Sequence, residues 1–229
     1  MSVRYDAGVL TISFRPLAAL KALAFAAAAL ALLLFPVVET ARDDGHSVPP
    51  SPEAVAVERA LTQRMALPAR EIARLTSVLV RESQAAHLDP LLVLAVIEAE
   101  SSFDHEAVST RTTEAGACVA NARGLMQVVN RTWNAEVRRR GLPSTLQRFD
   151  PVASVVVGTG YLGHLRERGF KRLDSLLVAY YLGPKALMEI RAGTAAPGLK
   201  AAAAGYVARV KRFHAKLERE AGPAILARR

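Results

Sequence analysis

Along most of this chain apolar residues recur at the spacing of one helix face, and nowhere for long in strict alternation. The pattern predicts an all-α, or mostly α, protein. Ile72, Leu75 and Leu79 form a stripe that stops at Leu88-Asp89-Pro90. There Asp89 suits an N-cap and Pro90 the first turn of a helix running from Leu91 to Ser101. Asp150-Pro151 repeats that start signal ahead of Val152 to Leu165, with Gly169 as the stop. A further helix is predicted over about Leu173 to Leu182, broken at Gly183-Pro184, and a last one over about Lys200 to Glu220, ended by Gly222-Pro223. Between Phe103 and Thr132 the periodicity is lost and a long loop is expected, which in a compact domain usually serves function.

Ala22 to Val38 departs from this pattern, being almost uninterruptedly apolar. Arg4, Arg15 and Lys21 precede it and Glu39, Arg42, Asp43 and Asp44 follow, a bias that keeps the N-terminus in the cytoplasm. With Leu17 to Leu20 the stretch approaches the roughly 20 residues that span a bilayer. Neither Val38-Glu39-Thr40 nor Thr40-Ala41-Arg42 makes a small-x-small cleavage site. An uncleaved N-terminal transmembrane helix, a signal anchor, is therefore favoured over a removed signal peptide, and either way the remainder is exported. Asp43 to Glu53 is polar and proline-rich, a linker composition. The expected organisation is 1–40 signal anchor or signal peptide, 41–66 linker and first helix, and 67–221 the main domain.

The 229 residues leave room for one medium domain with its own core. A formal net charge of +9 and a pI near 10.2 favour anionic partners, such as lipid headgroups or an acidic wall polymer. No zinc-ligand spacing, glycine-rich phosphate loop or basic helix interleaved with aromatics stands beside the charge, so nucleic acid is not an expected partner. The single cysteine, Cys118, excludes an intrachain disulfide and reads as a small hydrophobe.

Candidate chemistry begins at Val96 to Phe103, VIEAESSF, where a helix that otherwise reads as buried carries Glu98 and Glu100. Charges there are costly unless paired or functional. At 100° per residue Glu100 shares a face with Val93, Val96 and Ile97, and Glu98 lies opposite with Leu91, Leu94 and Ala95, so periodicity does not choose. Position leans to Glu100, at the helix's C-terminal end, where the dipole and partial burial would both raise a carboxyl pKa. A glutamic acid protonated near neutral pH is what protonating a glycosidic oxygen requires.

Five blocks then carry a resemblance: Leu88-Asp89-Pro90-Leu91-Leu92, Glu100-Ser101-Ser102-Phe103, Gly124-Leu125-Met126-Gln127, Ala179-Tyr180-Tyr181-Leu182-Gly183-Pro184 and Gly205-Tyr206-Val207. In this order and spacing they resemble the soluble-type (SLT) lytic transglycosylase domain, related in fold to goose-type lysozyme, over about Ile72 to Leu217. The resemblance implies a lysozyme-like helical fold and non-hydrolytic cleavage of peptidoglycan between N-acetylmuramic acid and N-acetylglucosamine, giving 1,6-anhydromuramoyl products. It picks Glu100 as catalytic acid and base and leaves Glu98 structural. Ser101 and Gln127 would hydrogen-bond substrate or orient the site, Met126 would line the sugar cleft, and Tyr180 and Tyr206 would stand near the acid. Gly124 would permit the turn that brings its block beside Glu100. No metal or organic cofactor is implied. The partners implied are peptidoglycan, the inner membrane through the N-terminal helix, and a secretion, conjugation or flagellar complex. The implied location is the periplasm of a Gram-negative bacterium.

Two features chiefly depart from the family pattern. Tyr181 stands where an asparagine is usual, so a substrate contact must be made differently there. The segment from Phe103 to Gly124 is longer than in relatives, with the excess in Arg111 to Ala122 around Cys118, and it reads as a surface loop or a cover for the cleft. Asp104, four residues after Glu100, is the nearest candidate for a second carboxylate and reads as a cap or loop residue. The alternative functions are a catalytically silent peptidoglycan-binding scaffold and a hydrolytic lysozyme.

Overall fold

The computed structural model describes residues 2–6, 9–13, 50–112 and 118–222. The chain divides into two compact units, Met1–Pro49 and Pro50–Arg229. In the first, strand β1 (Ser2–Asp6) pairs antiparallel with β2 (Val9–Ser13), Ser2 opposite Ser13 and Asp6 opposite Val9. The apolar run Ala22 to Val38 and the linker as far as Pro49 lie outside the described residues. Among the described residues no helix is long and apolar enough to cross a membrane.

The second unit is mostly helical. Helix α1 (Pro52–Arg64) opens with Ser51 accepting from the Ala54 amide and buries Val57 and Leu61. Helix α2 (Ala69–Ala85) carries the Ile72, Leu75, Leu79 stripe inward. Helix α3 (Pro90–Ser101) starts as its sequence predicts: Asp89 accepts from the Leu91 amide at 3.0 Å, and Pro90 occupies the first turn. Every residue from Leu91 to Ile97 is buried, so α3 is a central helix covered on all sides by neighbours that include α1, α2 and the long C-terminal helix α8 (Leu199–Ala221). His214 of α8 lies 2.5 Å from Asp89, tying the start of α3 to its neighbour.

The predicted loop from Phe103 to Thr132 is instead largely a small sheet, in order β3-β4-β5: β3 (Val108–Thr112), β4 (Cys118–Arg123) and β5 (Val128–Val129). Val108 faces Arg123, Ala122 faces Val129, and the register shifts between Ser109 and Thr110. Residues 113–117 of the enlarged segment lie outside the described residues. These strands satisfy their backbone by pairing with one another, so helical periodicity could not find them. The mostly α expectation holds for this unit, and its strictly all-α form is corrected by one antiparallel sheet.

Helix α4 (Asn130–Arg139) follows and buries Trp133. Asp150 caps α5 (Pro151–Glu167) by accepting from Val152 at 2.8 Å and Ala153 at 3.1 Å. Helix α6 (Leu173–Leu182) matches its expected span. Gly183-Pro184 does not end the helical structure there: Gly183 turns the chain at φ +87°, and Pro184 opens a further helix, α7 (Pro184–Ala192). A proline suits a first helical turn as well as it ends a preceding helix.

Candidate active site

The two glutamates near the end of α3 have separate surroundings. Glu98 pairs with Arg64 of α1 at 3.4 Å, and Arg64 also meets Glu220 of α8 at 2.6 Å, a brace between three helices. Glu100 lines a cleft of about 500 Å³. Burial is the main cause that pushes its pKa from the ordinary 4.5 up to about 7, opposed by a hydrogen bond from Tyr206 and by the nearby charge of Arg209. The α3 backbone leaves the helix abruptly just beyond, with Ser102 at φ +52° and Phe103 at φ +65°. Two successive non-glycine residues in the left-handed region are uncommon, and Phe103 is anchored in the core.

Tyr206, on α8 and only 2% exposed, reaches Glu100 from within the core, its hydroxyl donating to Oε1 at 2.6 Å. Tyr181, at the end of α6 and 43% exposed, lies flat on the Tyr206 ring, with centroids 4.3 Å apart and planes within 3°. The residue that replaces the family's asparagine therefore forms part of the cleft wall and braces the tyrosine that holds Glu100. Tyr180 lines the cleft beside it, and its hydroxyl donates to the Met126 carbonyl at 2.7 Å.

Met126 does not line the cleft as expected. It is fully buried, its amide donating to Ser154 Oγ at 3.1 Å and its sulfur receiving the Thr159 hydroxyl at 3.7 Å, both from α5. These contacts and the Tyr180 hydroxyl fix the turn that presents Gln127 to the cleft at φ +45°. The Gln127 amide nitrogen donates to the carbonyls of Ala107 and Gly124 at 2.9 and 2.8 Å, so both its hydrogens hold the turn together. Gly124, at φ +75°, faces the Arg148 carbonyl so closely that a side chain has no room. Ser101 is not in the cleft wall, and its hydroxyl donates back to the Ile97 carbonyl at 3.2 Å. Asp104 accepts from the Glu106 amide at 2.9 Å and is likewise outside the cleft wall. Among the described residues that line the cleft, Glu100 is the one carboxylate.

Ser109, Ala122, Val128 and Val129 of the sheet form another wall, together with Thr132, Tyr161 and Arg209. Sequence reasoning missed these. Arg209 had a signal, standing three residues after Tyr206 and so on the same helix face.

A buried glutamic acid in a cleft, its carboxylate form held by a tyrosine, is the arrangement expected of a glycan-cleaving acid. Residues 78–201 match the family model described as the transglycosylase SLT domain. The chain belongs to this family. The SLT match ends just before Tyr206 and Arg209. Among curated relatives, a membrane-bound lytic murein transglycosylase C of Klebsiella pneumoniae is 38% identical over 102 residues, 42% of this chain and 26% of that protein. One from Salmonella arizonae is 32% identical over 124 residues, 49% of this chain and 32% of that protein. The aligned region thus spans a third or less of these relatives. Two solved structures share the fold. The 70 kDa soluble lytic transglycosylase of Escherichia coli superposes with a TM-score of 0.53 at 16% identity, over 77% of this chain and 32% of that one. An inactive mutant of lytic transglycosylase Slt from Pseudomonas aeruginosa gives 0.50 at 21%, over 71% and 27%.

Proposed function

We propose that this SLT-family protein is a lytic transglycosylase of the periplasm, anchored in the inner membrane through Ala22 to Val38 with its N-terminus in the cytoplasm, that cuts peptidoglycan between N-acetylmuramic acid and N-acetylglucosamine. Glu100 gives its proton to the linking oxygen as the bond from that oxygen to the muramoyl C1 breaks. The carboxylate so formed takes the proton of the muramoyl C6 hydroxyl, whose oxygen bonds to C1 and closes the 1,6-anhydro ring. No water is consumed, so one carboxylate completes the proton cycle, whereas hydrolytic glycosidases ordinarily pair two at about 5–9.5 Å.

The observation that carries this reading is a cleft carboxyl, the one carboxyl among the described residues of the cleft wall, whose pKa of about 7 lets it lend and reclaim a proton near neutrality. The bond from the Tyr206 hydroxyl to Glu100 supports a part for Tyr206 in stabilising the carboxylate between the two steps. Tyr181 and Tyr180 supply aromatic wall to the cleft, and Gln127 shapes it. Held at the membrane, such an enzyme would open the wall locally for a secretion, conjugation or flagellar assembly.

The test is mass spectrometry of the products released from purified sacculi. Anhydromuramoyl fragments are expected from the wild type and are expected to vanish in Glu100→Gln. Reducing-end muramic acid would replace this reading with hydrolysis, and wall binding without any product would replace it with a silent scaffold.

A further inference from the structure

The cleft wall contains two charged side chains among the described residues, Glu100 and Arg209. Arg209 lies one turn beyond Tyr206 on α8, with its guanidinium carbon 5.5 Å from the centre of the Tyr206 ring. Its Nε is buried and meets no hydrogen-bond acceptor among the described residues. Several other arginines of this fold are differently placed. Arg64 meets Glu98 and Glu220, Arg139 meets Glu136, and Arg140 meets Glu82. Arg148 also leaves Nε unmet, but its fork is anchored on the Val128 carbonyl.

A guanidinium held against an aromatic ring with its Nε buried and short of an acceptor is costly, and a carboxylate is the ligand that best fits its planar fork. In a glycan of alternating N-acetylglucosamine and N-acetylmuramic acid, the first sugar offers no anion. The second carries one on its 3-O-lactyl arm, either as the free lactyl acid of a peptide-free strand or as an acid group of the attached stem peptide.

We propose that Arg209 binds the carboxylate carried on the 3-O-lactyl arm of a muramoyl residue in the Glu100 cleft, and so selects anionic glycan over neutral glycan. The proposal rests on the transglycosylase reading for its substrate class. It adds a specificity residue that neither the family blocks nor the matched segment includes. Arg209 and Tyr206 then divide the work along one face of α8: the tyrosine holds the acid, and the arginine holds the arm of the sugar being cut.

The experiment is a binding titration of the full chain carrying Glu100→Gln, in detergent, so that no ligand is consumed. Four ligands are compared: peptide-free muramoyl oligosaccharides with the lactyl acid free or converted to its methylamide, and peptide-bearing oligosaccharides with stem carboxylates free or amidated. Tighter binding of a free acid over its amide, by about tenfold for a charge-assisted pair, is expected in at least one of the two series, and the series identifies the source of the carboxylate. Adding Arg209→Gln is expected to abolish that preference while leaving affinity for the amides within about twofold. Equal affinity for acid and amide in both series with Arg209 in place overturns the proposal. So does a preference that survives Arg209→Gln. If Arg209→Gln does not fold, Arg209→Lys serves: it keeps the charge but loses the fork, and an undiminished preference overturns the assignment. The outcome is separable from that of the proposed function. A wild-type protein that makes no anhydro product yet shows the Arg209-dependent preference sinks the reaction and keeps the site.

Discussion

The Glu100 proton is held by opposed forces of known direction. Burial favours the neutral acid, while the Tyr206 hydroxyl and the Arg209 charge favour the carboxylate. The first dominates and leaves the pKa at about 7. Because the reaction begins from the protonated form, the competent fraction falls as pH rises through that value. The rate on soluble muropeptides is expected to drop about tenfold per pH unit well above it. Tyr206→Phe removes a donor that favours the carboxylate, so the Glu100 pKa rises and the descending limb is expected to move to higher pH. The ring remains in the variant, so the change is confined to one hydroxyl. A limb that stays put or moves to lower pH would show that the Tyr206 hydroxyl does not set the acidity of Glu100. At this scale the sequence was informative in its motifs and mute in its periodicity. Leu91 to Ile97 are buried on every side of α3, so both faces of that helix look alike, and Glu98 and Glu100 differ only in what lies beyond them. Met126 misled for a related reason. Its block was right, but a main-chain turn is what faces the cleft, and the side chain is buried.

Elements were legible where they carry their own start and stop chemistry. Asp89-Pro90 and Asp150-Pro151 announce α3 and α5 because the cap and the first-turn proline are local requirements. The small sheet carries no such signal. Its strands are short, and their pairing joins β3 to β4 across a segment that departs from the family pattern. The alternation of Val108, Thr110 and Thr112 was the faint trace of it. The contact between α5 and the Met126 turn was also illegible, since it depends on a missing side chain. At Gly158 a Cβ would sit 2.6 Å from the Met126 Cβ, closer than real Cβ contacts come. Gly158→Ala is therefore expected to push the turn off α5 and to destabilise the unit by about 1–3 kcal/mol, as overpacking does. Urea unfolding would read the loss. Because Met126 also receives the Tyr180 hydroxyl, activity should fall by more than the folded fraction does. A variant as stable as the wild type would mean that the turn has slack, and that Gln127 is positioned by its own hydrogen bonds alone.

Across the whole molecule, two kinds of attachment to a membrane predict different behaviour. The unit Pro50–Arg229 has its own core running from Val57 of α1 to Leu217 of α8, so a chain beginning at Pro50 is expected to melt cooperatively without the preceding residues. The chain also carries a net charge of +9, which draws it to anionic headgroups with or without an anchor. Salt separates the two causes. In about 1 M salt the screening length shrinks to about 3 Å and electrostatic adhesion lapses, while an inserted apolar helix is held by burial that salt does not weaken. After a high-salt wash of inner-membrane vesicles, the full chain is expected in the pellet and the chain beginning at Pro50 in the supernatant. Release of the full chain by salt would reduce the membrane association to surface charge. Retention of both would place the membrane-binding element within the helical unit, where no described helix is long and apolar enough to cross a bilayer, and would point to an interfacial contact instead.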